Sequence, residues 1–219
     1  MVTSADNLLL FPESKSSSET DTLFHETMAR QAGYGLVAGV DEAGRGPLAG
    51  PVVASAVIIP WGVTLEGVRD SKQMTEKARE RAFSMIMEKA IAVSVGVVSQ
   101  SFIDEFNILK ASLDAMKRAM LSLDPKAEYF LIDGIHKVPV PLPQKCLIKG
   151  DRISHSISAA SVVAKVYRDR IMRAYHLLFP VYGFSENKGY GTAKHLAAIR
   201  AHGYSPVHRL SFRGVRQFD

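Results

Sequence analysis

Asp41, Glu42, Asp133 and Asp151 stand where a folded chain seldom places charge. They close the apolar runs "GLVAGVDE", "YFLID" and "KCLIKGD". A buried lone carboxylate is costly, so an acid at the end of such a run either caps a turn or meets something positive. Several carboxylates in one crevice repel each other unless a cation neutralises them. Oxygen donors without thiolates or clustered imidazoles favour magnesium or manganese over zinc. Carboxylate sites that hold two such ions catalyse in-line displacement at phosphate. The competing reading is a set of separate caps, and Asp151, just before a long helical stretch, is the best candidate for one.

A glycine turn follows the first two acids. Gly44, Arg45 and Gly46 allow close backbone approach to a phosphate or sugar, and Arg45 adds a forked donor. This is no Walker loop, because Pro47 removes a donor and no GK[ST] follows. A dinucleotide fingerprint is also excluded, because a strand rather than a helix comes next. Ser71 and Lys72 stand before a helix and could hold an anion there. Lys188 and Tyr190 lie in "NKGYGT", where a glycine-flanked aromatic could stack on a base or sugar.

These residues need elements to position them. Apolar, β-branched runs predict strands at 35–42, 52–59, 90–98, 129–133 and 145–149. "VPVPLPQ" carries three prolines and must be loop or edge. Helices are predicted across "LFHETMARQA", across "MTEKARERAFSMIMEKA", and over 101–122, 155–179 and from Thr192 to Gly203. In the 155–179 helix, Ile157, Ala160, Ala164, Tyr167, Ile171, Ala174 and Leu178 define the expected core face. Asp169 points off that stripe, either into the crevice or toward Arg173 one turn on. The order of elements predicts an α/β fold on a mixed sheet, with ligands at the carboxyl ends of the parallel strands. Asp41 and Asp133 would meet there if strands one and four are parallel neighbours.

With 219 residues, the chain suits one domain over 23–219, a helical C-terminal part from about 180, and a disordered Ser-rich extension over 1–22. Nothing reads as a membrane span or a signal peptide. A single cysteine, Cys146, excludes an internal disulfide and suits a cytoplasmic protein; it reads as a core residue. The net charge of +5 is concentrated late in the chain, at Lys188, Lys194, Arg200, Arg209, Arg213 and Arg216, which suits a polyanion partner. His155 reads as a solvated residue at a helix start, the alternative being a group that assists near the metals.

Taken together, "GVDEAGRGPLAGPVVASAVI", "DSK", "LIDG", "KGD" before "SISAASVVAKVYRDR", and "YGFSENKGYGTAKH" resemble the ribonuclease HII family from about Gly35 to Phe212. The fourth acid is Asp151 rather than Glu and the N-terminal extension is short, so type HII fits better than type HIII. The resemblance implies a ribonuclease H-like fold with a five-stranded mixed sheet flanked by helices. It implies an endoribonuclease that cuts the RNA strand of RNA/DNA hybrids and incises 5′ to single ribonucleotides in duplex DNA, leaving 3′-hydroxyl and 5′-phosphate ends. Asp41, Glu42, Asp133 and Asp151 match the family's catalytic acids and would hold two Mn2+ or Mg2+ ions. Gly44, Arg45 and Gly46 match the element that grips the ribonucleotide's 2′-hydroxyl. Tyr190 matches the tyrosine that stacks on the following deoxyribose, Ser71 and Lys72 match phosphate contacts, and Asp169 matches a further acid near the site. A monomer is implied. The rivals are a DNA nuclease of the same fold and a silent nucleic-acid-binding module.

Overall fold

The computed structural model describes residues 22–68, 71 and 74–216. The Ser-rich extension, apart from Thr22, and Lys72 lie outside the described residues. A short helix, α1 (Phe24–Gln31), leads into a five-stranded sheet. The strands are β1 (Val37–Ala43), β2 (Val52–Ile58), β3 (Ala92–Val98), β4 (Tyr129–Asp133) and β5 (Gln144–Leu147), in the order β3-β2-β1-β4-β5. β1 pairs antiparallel with β2 and parallel with β4, and β4 pairs parallel with β5. β1 and β4 are therefore the parallel neighbours that the site requires. In their register Val40 sits opposite Ile132, so Asp41 and Asp133 leave the sheet side by side.

Both faces of the central strands are apolar because both are covered. β2 is buried along its whole length. One face packs on α4 (Ile108–Ser122) through Ala111, Ala115, Met116, Ala119 and Met120. The other packs on α6 (His155–Leu178), with α2 (Glu76–Lys89) outside it. Small residues let α6 approach β1 closely. A Cβ at Gly39 would lie 2.0 Å from the carbonyl carbon of Ser156, so only glycine fits there.

The helix predicted over 101–122 is two helices. α3 (Gln100–Phe106) ends at Asn107, whose φ of 76° breaks the backbone path. The Asn107 side chain then accepts the Lys110 N–H and caps α4. The break shifts the helical phase, so Ile103 is buried while Phe106 is exposed.

The predicted core stripe of α6 also fails after Tyr167. Leu178 is 69% exposed, whereas Arg168, Asp169 and Met172 are buried. Beyond the sheet, α6 packs on the C-terminal part instead. There Met172 meets Ala49, Tyr182 and Phe184. That part contains a 3-10 turn (Pro180–Tyr182), α7 (Phe184–Asn187) and α8 (Ala193–His202). No helix among the described residues is long and apolar enough to cross a membrane.

Candidate active site

β1 delivers its two acids to opposite sides of the strand, as pleating requires. Asp41 is buried toward α6, with Ser161 as a hydrogen-bond partner. Its Oδ1 also accepts the Glu42 N–H at 2.6 Å. Glu42 lies at the mouth of two clefts, one on the α6 side and one on the α4 side. Asp133 ends β4 and accepts the Gly150 N–H at 2.7 Å. This bond ties the strand end to the short helix α5 (Gly150–Ile153), which carries the buried Asp151. Asp151 is not the cap of the long helix; Ser154 caps α6 by accepting the Ile157 N–H.

Burial pushes the Asp41 carboxyl well above the usual carboxylate range, and the neighbouring charges of Glu42 and then Asp133 push it further. The site thus carries more negative charge than it can comfortably hold. Among the described residues no three acid, histidine or cysteine side chains close into a finished metal shell. The donor set nevertheless suits a hard divalent cation, because it is all carboxylate. Arg45 reaches Glu42 only at 3.4 Å and from a half-exposed position.

The glycine turn forms the next wall. Gly44 has φ +98°, and a Cβ there would lie 2.0 Å from Arg168 Nε. Gly46 lies so that an added Cβ would be 3.7 Å from the Tyr190 ring. Together with Ser161, Lys165 and Arg168 these residues line a cleft of about 230 Å³. Another cleft of about 230 Å³, lined by Leu23, Glu26, Trp61 and His155, opens near Val37 at the far end of β1 and takes no part in this site.

Two buried arginines hold the turn, and neither signalled this role in sequence. Arg209 donates to the carbonyls of Gly44 (2.6 Å), Arg45 (2.9 Å), Pro47 (2.8 Å), Gly50 (2.9 Å) and Pro51 (3.2 Å). Arg168 donates to Ala49 and Lys188 at 3.0 Å and to Pro51 at 3.1 Å. A trans peptide points its N–H opposite to its C=O. With the Gly44 and Arg45 carbonyls drawn inward, the N–H groups of Arg45 and Gly46 point away from Arg209, free to meet a ligand. Burial lowers the two guanidiniums to about 10 for Arg168 and about 9 for Arg209, so both remain charged at neutral pH.

Several expectations need correction. Arg209 does not belong to an exposed basic tail, being fully buried, and Lys188 is half-buried with its ammonium on the Ser185 carbonyl. Lys194, Arg200, Arg213 and Arg216 are exposed. The helix that follows, α2, is capped by Thr75 rather than at Ser71, whose hydroxyl is buried against Ser161 at 2.8 Å. Asp169 pairs with Lys165 at 2.6 Å and Arg79 at 3.5 Å, not with Arg173, which reaches Glu76 instead. His155 is buried, and its Nε2 accepts the Leu65 N–H at 3.1 Å. Cys146 is half-buried against the main core.

Tyr190 is positioned by a histidine chain. His195 Nδ1 donates to the Tyr190 carbonyl at 2.8 Å, and its Nε2 meets His208 Nε2 at 3.0 Å. His208 Nδ1 accepts from the Ser205 N–H at 2.9 Å. One neutral tautomer of each ring satisfies every contact. Burial lowers both pKa values, and His195 helps hold His208 down to about 4. The unfolded chain therefore binds protons below about pH 6.5 that the folded chain refuses. Stability should rise from pH 4 to 6.5 and fall on acidification through that window by up to ~3 kcal/mol from His208. Urea melts at pH 7 and 4.5 would measure this, and His208→Gln should flatten the slope.

Known proteins resemble this chain in sequence and in fold. The family model described as Ribonuclease HII matches residues 38–215. The Ribonuclease HII of Geobacter sulfurreducens is 54% identical over 192 residues, 88% of each chain. That of Geotalea uraniireducens is 52% identical over 211 residues, 96% of each. Among solved structures, ribonuclease H2 from Pyrococcus horikoshii OT3 superposes with a TM-score of 0.70 at 28% identity, over 84% of this chain and 96% of that one. Bst-RNase HIII in complex with Mn2+ is 19% identical with a TM-score of 0.64, over 93% of this chain and 74% of that one, a likeness of fold alone. The chain belongs to the ribonuclease HII family and is an endoribonuclease of the ribonuclease H type.

Proposed function

We propose that the chain hydrolyses the RNA strand of RNA/DNA hybrids and incises on the 5′ side of single ribonucleotides in duplex DNA, with Mn2+ or Mg2+ as cofactor. One observation carries the reading. A buried acid, Asp41, repelled by Glu42 and Asp133, lies beside a glycine turn that lines the same cleft as a half-exposed tyrosine. Asp41, Glu42, Asp133 and Asp151 would hold the metal. When bound, the metal supplies Lewis-acid activation of water and neutralises charge on the phosphate.

The chain's own groups do the rest. The Asp133–Gly150 bond keeps Asp133 and the Asp151 turn together. The outward N–H groups of Arg45 and Gly46 suit a 2′-hydroxyl or a phosphate oxygen, which an all-DNA strand offers only in part. Arg45, half exposed, can meet the adjoining phosphate. The Tyr190 ring, 47% exposed, is placed to stack on a sugar. Lys194, Arg200, Arg213 and Arg216 give the C-terminal part a sequence-independent grip on phosphates.

Tyr190→Ala should lower kcat/KM at a single embedded ribonucleotide by about tenfold or more, since a lost stacking contact costs ~1–3 kcal/mol. Cutting inside a long hybrid should fall less, because no RNA-to-DNA junction is read there. Steady-state assays on the two duplexes would show it. Equal losses on both would remove Tyr190 from the reading.

A further inference from the structure

A second cleft meets the first at Glu42 and Arg45. It lies on the α4 side of the sheet, holds about 190 Å³, and adds Asp133, His136, Leu113 and Met116 to its lining. Ser112 lies in its wall. This serine is 3% exposed, and its hydroxyl has no hydrogen-bond partner. A serine inside a helix normally bonds back to the carbonyl four residues earlier or faces water. Ser112 does neither, although a buried unmet hydroxyl is costly. The hydroxyl is one group; the apolar side chains of Leu113 and Met116 beside it suit the C–H face of a sugar ring, and His136 and Arg45 near the mouth suit phosphate.

We infer that this cleft is the subsite for the sugar on the 5′ side of the cut, and that Ser112 reads that sugar. The inference rests on the function proposed above. There the ribonucleotide and the next deoxyribose lie along Gly44, Gly46 and Tyr190. The cut falls at the ribonucleotide's 5′ phosphate, beside Asp41 and Asp133. The strand then continues past the acids, where the second cleft opens. In a long hybrid the sugar at that place carries a 2′-hydroxyl; beside a single embedded ribonucleotide it does not. Ser112 therefore sets the preference between the two kinds of substrate.

The test compares one cut in two duplexes. Both carry a ribonucleotide followed by DNA; the 5′ neighbour is deoxyribose in one and ribose in the other. Ser112→Ala should change the ratio of the two kcat/KM values by about fivefold or more, and Ser112→Thr should restore most of it. With the unmodified protein, a 2′-O-methyl group on the 5′ neighbour should slow the cut by about tenfold, whereas the same group on the opposed nucleotide of the other strand should change it less than about twofold. An equal fall on both duplexes in Ser112→Ala would make the serine merely structural and overturn the inference. So would a dominant effect of the modification in the other strand. Failure of the unmodified protein to cut at ribonucleotides would instead sink the underlying function.

Discussion

Asp41→Asn will lower cleavage by about a thousandfold or more while duplex affinity stays within about threefold. Asp41 is the most buried of the acids at the crevice, and its carboxyl already resists ionisation because of burial, Glu42 and Asp133. A bound cation would relieve that crowding. Removing the charge also removes the repulsion. The variant should therefore melt higher than the parent in metal-free buffer, by ~1–2 kcal/mol or about 4 °C for a chain of this size. The proposed phosphate contacts lie elsewhere, at Arg45 and the exposed basic residues of the C-terminal part, so binding should survive. Single-turnover cleavage, a gel-shift titration and a thermal melt read the three quantities. Near-parental turnover would contradict the placement of the metal at Asp41.

Arg209→Ala will have the largest effect on stability. The side chain has no solvent exposure and serves five carbonyls, three of them in the turn from Gly44 to Pro47. Truncation leaves four of those carbonyls without their donor, Pro51 alone keeping Arg168, at a cost of ~3–5 kcal/mol. Arg209→Lys should recover less than about half of this, because an ammonium has three donors and no planar fork. Where the lysine variant remains folded, its nuclease activity should still be low, since the N–H groups of Arg45 and Gly46 lose their fixed direction. Denaturant melts of both variants, with activity measured on the folded fraction, test the claim. Full rescue by lysine would mean that the carbonyl clamp does not depend on the guanidinium.

The four acids were legible because each follows an apolar run, and strands announce themselves by such runs. The meeting of Asp41 and Asp133 was legible only as a condition, that β1 and β4 pair in parallel; the register satisfies it. The turn at Gly44 was visible as a turn, but its support was not. Arg168 and Arg209 bond to backbone carbonyls, and a carbonyl has no residue type for a pattern to reveal. Arg209 even passed as part of a basic tail, since charge alone does not distinguish a solvated arginine from a buried clamp. The break at Asn107 had a weak signal, because asparagine tolerates positive φ and caps helices, yet the apolar spacing runs on through it. The pairing of Asp169 with Arg173 failed for a related reason. Its partners are Lys165 one turn back and Arg79 on another helix, and a helical wheel shows only the first of these.

The central claim is that a metal held by the carboxylates cuts where a ribonucleotide is read. The most direct measurement uses an end-labelled DNA duplex carrying one ribonucleotide, beside its all-DNA twin, with Mn2+, Mg2+ or EDTA. Incision confined to the 5′ side of the ribonucleotide, present with either metal and lost in EDTA, is the predicted result. Equal cutting of the all-DNA duplex, or undiminished cutting in EDTA, would contradict the account.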